Sequence, residues 1–306
     1  EISTVLDTSD EWIRTRTGIR ERRVAGADQA ASDLGVIAAR RCLESADVEA
    51  VAVDLVVVTT ISPDHMMPAT ASILADRIGA TRAGAFDIQA GCTGFGYGLA
   101  AATAFVSAGI YRNVLVVGAE VLTRMVDWED RSTCVLFGDG AGAVLVQPAD
   151  DGHTFRFDLG NDGSGAEYLN IPAGGSRQPA THETVDEHGH AMHMTGSQVF
   201  KFATRTVAES CEKVLRDEGL DASDVDLFVP HQANMRIIDS ARRRLGFTSD
   251  QVFANLDSYG NTSCASIPIC LSEASAGGRL KRGDRLLLAG FGAGLTWGSC
   301  LTTWEL

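Results

Sequence analysis

A thiol, an imidazole and a carboxamide stand at three turns of this 306-residue chain: Cys92 in Gly91-Cys92-Thr93, His231 in Val229-Pro230-His231-Gln232, and Asn261 in Gly260-Asn261-Thr262. Cys92 follows a strand-like run at residues 84–90 and opens a helix of small residues at 94–108. A thiol at a helix N-terminus meets the positive end of the macrodipole and unpaired N–H groups, which favour the thiolate and can hold an oxyanion. That is a nucleophile's position. His231 ends the run 227–230, and Asn261 is expected at the corresponding end of a nearby strand, where ligands of parallel α/β sheets collect. Each has an ordinary reading as well: a small buried cysteine, a hydrogen-bonded structural histidine, an asparagine helix cap. The ordinary reading is given to Cys42, Cys134, Cys211, Cys264, Cys270 and Cys300.

The elements that must position these groups come from a duplication. Leu43, Asp54, Arg77-Ile78-Gly79 and Cys92 run in the same order as Leu215, Asp226, Arg244-Leu245-Gly246 and Asn261. Residues 53–58 match 225–230, and 112–118 match 284–290, so one unit is used twice. Short β-branched runs alternate with amphipathic stretches at 34–46 and 199–215, which predicts α/β halves of βαβ units with mostly parallel sheets. The halves are expected at residues 1–150, with the thiol, and 151–306, with His231 and Asn261. Residues 154–159 predict an early strand in the second half with no counterpart in the first, so the duplication predicts a further strand upstream of Glu1.

Composition narrows the function. A hydrophobic content of 45% supports two substantial cores, and 32 glycines against seven prolines suit tight strand-to-helix turns. No stretch reaches the ~18 unbroken apolar residues of a membrane span. Seven cysteines without a CxxC pair argue against a disulfide frame or zinc knuckle, and the cytoplasm is the expected compartment. A net charge of −14 argues against nucleic acid as a partner. Gly138-Asp139-Gly140-Ala141-Gly142 is expected to be a tight strand turn and not a dinucleotide loop. His188, His190 and His193 fall in a polar insert at 178–194 without a clear fourth ligand, so no metal is expected.

The motifs Gly91-Cys92-Thr93-Gly94-Phe95, Val229-Pro230-His231-Gln232-Ala233-Asn234, Gly260-Asn261-Thr262-Ser263 and Gly290-Phe291-Gly292-Ala293-Gly294 resemble β-ketoacyl-acyl carrier protein synthase III, of the thiolase fold superfamily. Asp7-Thr8-Ser9-Asp10-Glu11-Trp12 matches the family's early signature. The resemblance covers nearly the whole chain. It implies a layered α/β/α/β/α architecture and a homodimer without a cofactor. Cys92 would take the acyl group of an acyl-CoA, with the backbone amides of Cys92 and Ala293 as oxyanion donors. His231 and Asn261 would stabilise the enolate formed when malonyl-acyl carrier protein loses CO₂. Trp12 and Arg131 would sandwich the CoA adenine, with Arg16 near the phosphates and Asn234 and Gly196 along the pantetheine arm. Leu122, Phe137 and Met194 would line the acyl pocket, which Met67 of a dimer partner would reach. Lys201, Arg236, Arg243 and Arg244 would dock the acidic carrier protein, a reading favoured because this basic patch opposes the global charge.

Asn261 separates the chain from elongating synthases, which resemble a Cys/His/His set, and the glycine loop lacks the second cysteine of biosynthetic thiolases. Type III polyketide synthases share Cys/His/Asn but lack the DTSDEW and HQAN contexts. The remaining alternatives are a starter-unit synthase of a polyketide pathway, a non-catalytic binder of acyl-CoA or carrier protein, and a nicotinamide oxidoreductase. The intact trio speaks against a binder, and the glycine motifs lie off the register of a nicotinamide site.

Overall fold

The computed structural model describes residue 4, residues 6–149 and residues 155–305. The expected boundary at 150 and 151, and Thr154 of the expected early strand, lie outside the described residues. The first half runs through α1 (Asp10–Thr17), α2 (Ala31–Ser45), β1 (Leu55–Thr59), α3 (Thr70–Ile78), β2 (Gly84–Ile88), α4 (Gly94–Ser107), β3 (Val114–Glu120), a short α5 (Arg131–Cys134) and β4 (Gly140–Val146). The second half holds β5 (Arg156–Asn161), a ribbon of β6 (Leu169–Asn170) and β7 (His193–Met194) around α6 (His182–Asp186), and α7 (Gly196–Asp217). It continues with β8 (Leu227–Pro230), α8 (Met235–Leu245), α9 (Leu256–Tyr259), α10 (Ser266–Ala276), β9 (Arg285–Gly292) and β10 (Thr296–Thr303).

Two four-stranded sheets form, in the orders β2-β1-β3-β4 and β5-β10-β9-β8. β1 runs parallel to β2 and β3, and β8 parallel to β9; β4, β10 and β5 run antiparallel to their neighbours. The duplication holds to the residue. Leu55 faces Val114 and Leu227 faces Leu286, the pairs aligned by the sequence. The two matched aspartates also act alike. Asp54 accepts the N–H groups of Arg112 and Asn113 at 2.9 Å, and Asp226 accepts that of Arg285 at 2.7 Å. Each carboxylate thereby clamps the start of the neighbouring strand with charge-assisted bonds.

One expectation fails. Asn261 does not follow a strand: the counterpart of β2 shrinks to a single parallel bridge from Val252 to Phe228, and α9 precedes Gly260. The run Asn255-Leu256-Asp257-Ser258 carries cap and turn formers where a strand needs β-branched residues.

The two sheets share a middle layer. Phe95, Leu99 and Ala102 of α4 and Ile267, Cys270 and Leu271 of α10 lie in one buried cluster with Val57 and Val116 of the first sheet and Val229 and Leu288 of the second. α2 and α3 cover the outer face of the first sheet, and α7 and α8 that of the second. Five layers result, and the chain segments leading into α4 and α10 meet inside the molecule. Close approach here depends on Gly98, where a Cβ would lie 2.7 Å from Thr59 Cγ2 and 3.0 Å from Val116 Cγ1. Gly98→Leu should therefore lower stability by about 1–3 kcal/mol through overpacking, read as a lower midpoint in thermal denaturation. An unchanged midpoint would mean that α4 can move away from the sheet.

Candidate active site

Cys92 lies against the loop that follows β9. Gly91 has φ 53, and a Cβ on it would sit 2.6 Å from Ala293 N; a Cβ on Gly292 would sit 2.3 Å from Cys92 N. Backbone meets backbone there, and the amides of Cys92 and Ala293 come side by side across the seam of the two halves. The Thr296 hydroxyl, hydrogen-bonded to that of Thr93, lies 3.0 Å from both Ala90 O and Ala293 O and ties the two loops together.

Cys92 is only 5% exposed. Burial pushes its thiol up to about 12; the bond with Ser263 and its own amide lower it less, while the buried Glu120 adds to the rise. The helix terminus favours the thiolate, as the sequence suggests, but in the resting protein desolvation outweighs it.

Asn261 and His231 both reach the short segment that leads into α10. Asn261 bridges to Phe137 and accepts the Ser263 N–H on Oδ1 at 2.9 Å, so its NH₂ group points the other way. This local turn bond, two residues along the chain, uses only the oxygen. Ser263 itself takes φ 47, an uncommon conformation for a serine. His231 donates its backbone N–H to Ala289 O at 2.7 Å, and its Nδ1 lies 2.7 Å from Ser266 Oγ. Its ring stands edge-on to Phe291 at 5.4 Å. Nε2 is buried without a hydrogen-bond partner, and burial pushes the imidazole down to about 3, so the ring is neutral at neutral pH. Cys92 and His231 thus both contact the 261–266 segment that carries Asn261, and the end of β9 touches both of them.

Residues 86–163 match the family described as 3-oxoacyl-(acyl-carrier-protein) synthase III, and residues 215–304 match its C-terminal part. The chain is 51% identical to the β-ketoacyl-(acyl-carrier-protein) synthase III of Caldanaerobacter subterraneus subsp. tengcongensis, covering all of this chain and 92% of that one. It is 46% identical to the Thermus thermophilus enzyme of the same name, with a TM-score of 0.91 over 99% of this chain and 94% of that structure. A priming β-ketosynthase of the R1128 polyketide pathway superposes as well, with a TM-score of 0.93 at 38% identity, over 100% of this chain and 91% of that one.

The chain belongs to the 3-oxoacyl-(acyl-carrier-protein) synthase III family. It is an acyl-transferring condensing enzyme of fatty acid biosynthesis. Among the described residues no helix is long and apolar enough to cross a membrane.

Of the residues that the resemblance assigns to CoA, Trp12, Arg16, Arg131 and Asn234 lie together in this synthase III chain, with one difference. Arg131 does not stand apart from Trp12: its guanidinium lies 4.5 Å from the ring centroid, with Arg16 at 4.9 Å. No gap remains for an adenine between Trp12 and Arg131, because two cations are drawn onto the electron-rich indole face. Asn234 caps α8, accepting Arg236 N–H at 2.9 Å, and donates to Arg16 O at 3.3 Å. Gly196 opens α7 on the surface, where a Cβ would meet only Met194 Cε at 3.7 Å. Leu122 and Phe137 are buried and Met194 packs against the same cluster, whereas Met67 is 85% exposed and is not brought to the site within one chain.

The basic patch is partly committed. Arg244 forks onto Glu212 with two bonds of 3.0 Å, and Arg236 lies 5.3 Å from the Phe200 ring centroid. Lys201 and Arg243 are exposed. The other signals also find structural partners. Asp139 accepts Ala25 N–H at 2.8 Å and Thr123 N–H at 2.9 Å at the start of β4. His188 pairs with Asp127 at 2.7 Å, His190 with Thr184 at 2.9 Å, and His193 Nε2 lies 3.4 Å from His188 O. Sequence reasoning missed Ser266, Ser263 and Glu120, and gave Cys264 no contact with the site. The Cys264 thiol in fact donates to Gly91 O at 3.0 Å, in the turn that carries Cys92.

Cys92 should react with iodoacetamide at a rate still climbing above pH ~9, because a buried thiol gives little thiolate near neutrality. Peptide mass mapping of carboxymethylated Cys92 across pH measures this. A plateau reached below pH ~7 would mean that the helix terminus outweighs burial.

Proposed function

We propose that Cys92 attacks the thioester carbon of an acyl-CoA, so that CoA leaves carrying the thiol proton and the acyl group stays on sulfur. The amides of Cys92 and Ala293 bind the transient oxyanion. Malonyl-acyl carrier protein then enters and its C–CO₂ bond breaks; the electron pair forms an enolate that accepts hydrogen bonds from His231 Nε2–H and Asn261 Nδ2–H. The enolate carbon attacks the acyl-enzyme, and collapse expels Cys92 as thiolate, which takes up a proton. The products are a 3-oxoacyl-acyl carrier protein, CoA and CO₂.

The observation that carries this reading is the buried, unpartnered Nε2 of a neutral His231. A charged imidazolium would pair with the malonyl carboxylate and hold the group that must leave. Neutral donors favour the enolate instead, which is differential binding of the transition state. No resident cofactor enters, because the thioester supplies the leaving group and CO₂ loss drives the carbon–carbon bond.

In this reading Arg131 leaves Trp12 to admit the CoA adenine, Asn234 and Gly196 flank the pantetheine arm, and the two sequence halves meet as domains over the site. Leu122, Phe137 and Met194 line the acyl channel, and Met67 of a second copy closes it in a homodimer. Lys201, Arg236 and Arg243 receive the carrier protein in the cytoplasm, while Arg244 serves mainly to hold α8 on α7.

Cys92→Ala should show no acyl adduct by intact mass after acyl-CoA exposure, while the parent gains one; an adduct on another cysteine would reassign the nucleophile. His231→Ala and Asn261→Ala should still acylate yet release CO₂ from malonyl-acyl carrier protein roughly 100-fold more slowly, the scale of a lost oxyanion donor.

Charge reversal of Lys201 and Arg243 to Glu should raise KM for malonyl-acyl carrier protein and spare acylation by acyl-CoA. Added salt should mimic it, since exposed charges are screened within ~10 Å. Equal loss with both substrates would place the patch outside carrier docking.

Met67→Ala should extend the accepted primer and Met67→Phe should favour acetyl, moving preference ratios about tenfold in competition assays with paired acyl-CoAs. Ratios unchanged in a protein that remains dimeric would remove Met67 from the channel.

A further inference from the structure

Ser266 opens α10 and is 2% exposed. Its hydroxyl oxygen has two neighbours: His231 Nδ1 at 2.7 Å and the backbone N–H of Gln232 at 3.4 Å. A hydroxyl offers one hydrogen and two lone pairs. The Gln232 amide can only donate, so the oxygen accepts there. Gln232 is itself held in place, its side chain donating to Pro230 O at 2.7 Å and accepting Asn255 N–H at 3.1 Å. Among the described hydrogen bonds, the serine hydrogen has no acceptor other than His231 Nδ1, and a buried O–H without an acceptor is costly.

We infer that Ser266 donates to His231 Nδ1 and thereby fixes the imidazole in the Nε2–H tautomer, making Ser266 a positioning residue for decarboxylation. This rests on the donor role proposed for His231. A neutral imidazole carries one N–H; with Nδ1 occupied as acceptor, that hydrogen sits on Nε2. The remaining surroundings do not compete for the ring nitrogens: the small cavity beside it is lined by apolar side chains, among them Val207, Ile237, Ala241 and Phe291. Burial keeps the ring from gaining a second proton, which would remove the distinction between the tautomers. The serine thus does for this neutral donor what a backbone carbonyl does for a metal-binding histidine: it sets both ring rotation and hydrogen position, with the opposite polarity.

Histidine-selective ¹⁵N NMR of the full chain, with the His231 signals assigned from His231→Asn, tests the tautomer directly. Nε2 should report as protonated and Nδ1 as bare at neutral pH; a protonated Nδ1 overturns the inference. Ser266→Ala should acylate Cys92 at the parent rate, while CO₂ release falls roughly 10- to 100-fold, the range for losing a group that orients a functional imidazole. Ser266→Thr, which keeps the hydroxyl, should recover most of that loss. Parent-like CO₂ release in Ser266→Ala, or equal loss of acylation and decarboxylation in it, contradicts the inference. Normal CO₂ release in His231→Ala would instead overturn the donor role itself, so the two failures are distinguishable. Should Ser266→Ala not fold, the parent spectrum still decides the tautomer.

Discussion

The site depends on one contact: the turn at Gly91-Cys92 against the loop at Gly292-Ala293, with no side chain between them. A single methyl at Gly91 or Gly292 would fall within 2.6 Å of opposing backbone nitrogen. That approach sets two amides from different halves beside one thiol. The shared middle layer makes the contact possible, because α4, whose leading turn carries Cys92, packs in one core with Leu286 and Leu288 of β9, the strand that ends at Gly292. Thr93 and Thr296 then hold the loops in register through hydroxyls and carbonyls of both halves.

The second constraint is dryness. Cys92, His231 and Asn261 are all buried, and burial acts in one direction on both titratable members: it keeps the thiol protonated and the imidazole neutral. In the proposed mechanism, a thiol and an imidazole kept neutral by burial would hold no charge that traps a malonyl carboxylate. The donors assigned there would gain their effect where negative charge develops, since hydrogen bonds strengthen in a low dielectric. Glu120 is a further titratable group, a fully buried carboxyl near Cys92. Burial raises its pKa, and bonds from Ser62 and the Ile61 amide oppose that rise. Its bonds to Thr60, Ile61 and Ser62 anchor the end of β3 to the loop after β1.

Much of this was legible in the sequence because it depends on backbone periodicity. The matched aspartates, the offset pairing of β1 with β3 and β8 with β9, and the turns carrying Cys92 and His231 all follow from a duplicated pattern of strand and turn formers. What was not legible depends on side chains meeting across long separations. Ser266 carries no mark that ties it to His231, and nothing in Arg244 or Glu212 announces their fork. The stacking of Arg131 on Trp12 arises from the open indole face, which the sequence can supply but not place. Asn261 is reached through a helical turn because its half has only a vestige of β2. Cys92 illustrates the limit well: its helix start is readable, but the loop that buries it comes from the far end of the chain.

The central claim is that two donor pairs divide the chemistry, with the seam amides of Cys92 and Ala293 serving the acyl carbonyl and His231 and Asn261 serving the enolate. A crystal structure of the protein acylated on Cys92 tests it most directly. The account predicts that the acyl carbonyl oxygen lies within hydrogen-bonding distance of both the Cys92 and Ala293 amides, with His231 Nε2 and Asn261 Nδ2 left unoccupied by the acyl group. An acyl oxygen held instead by His231 or Asn261 would contradict it.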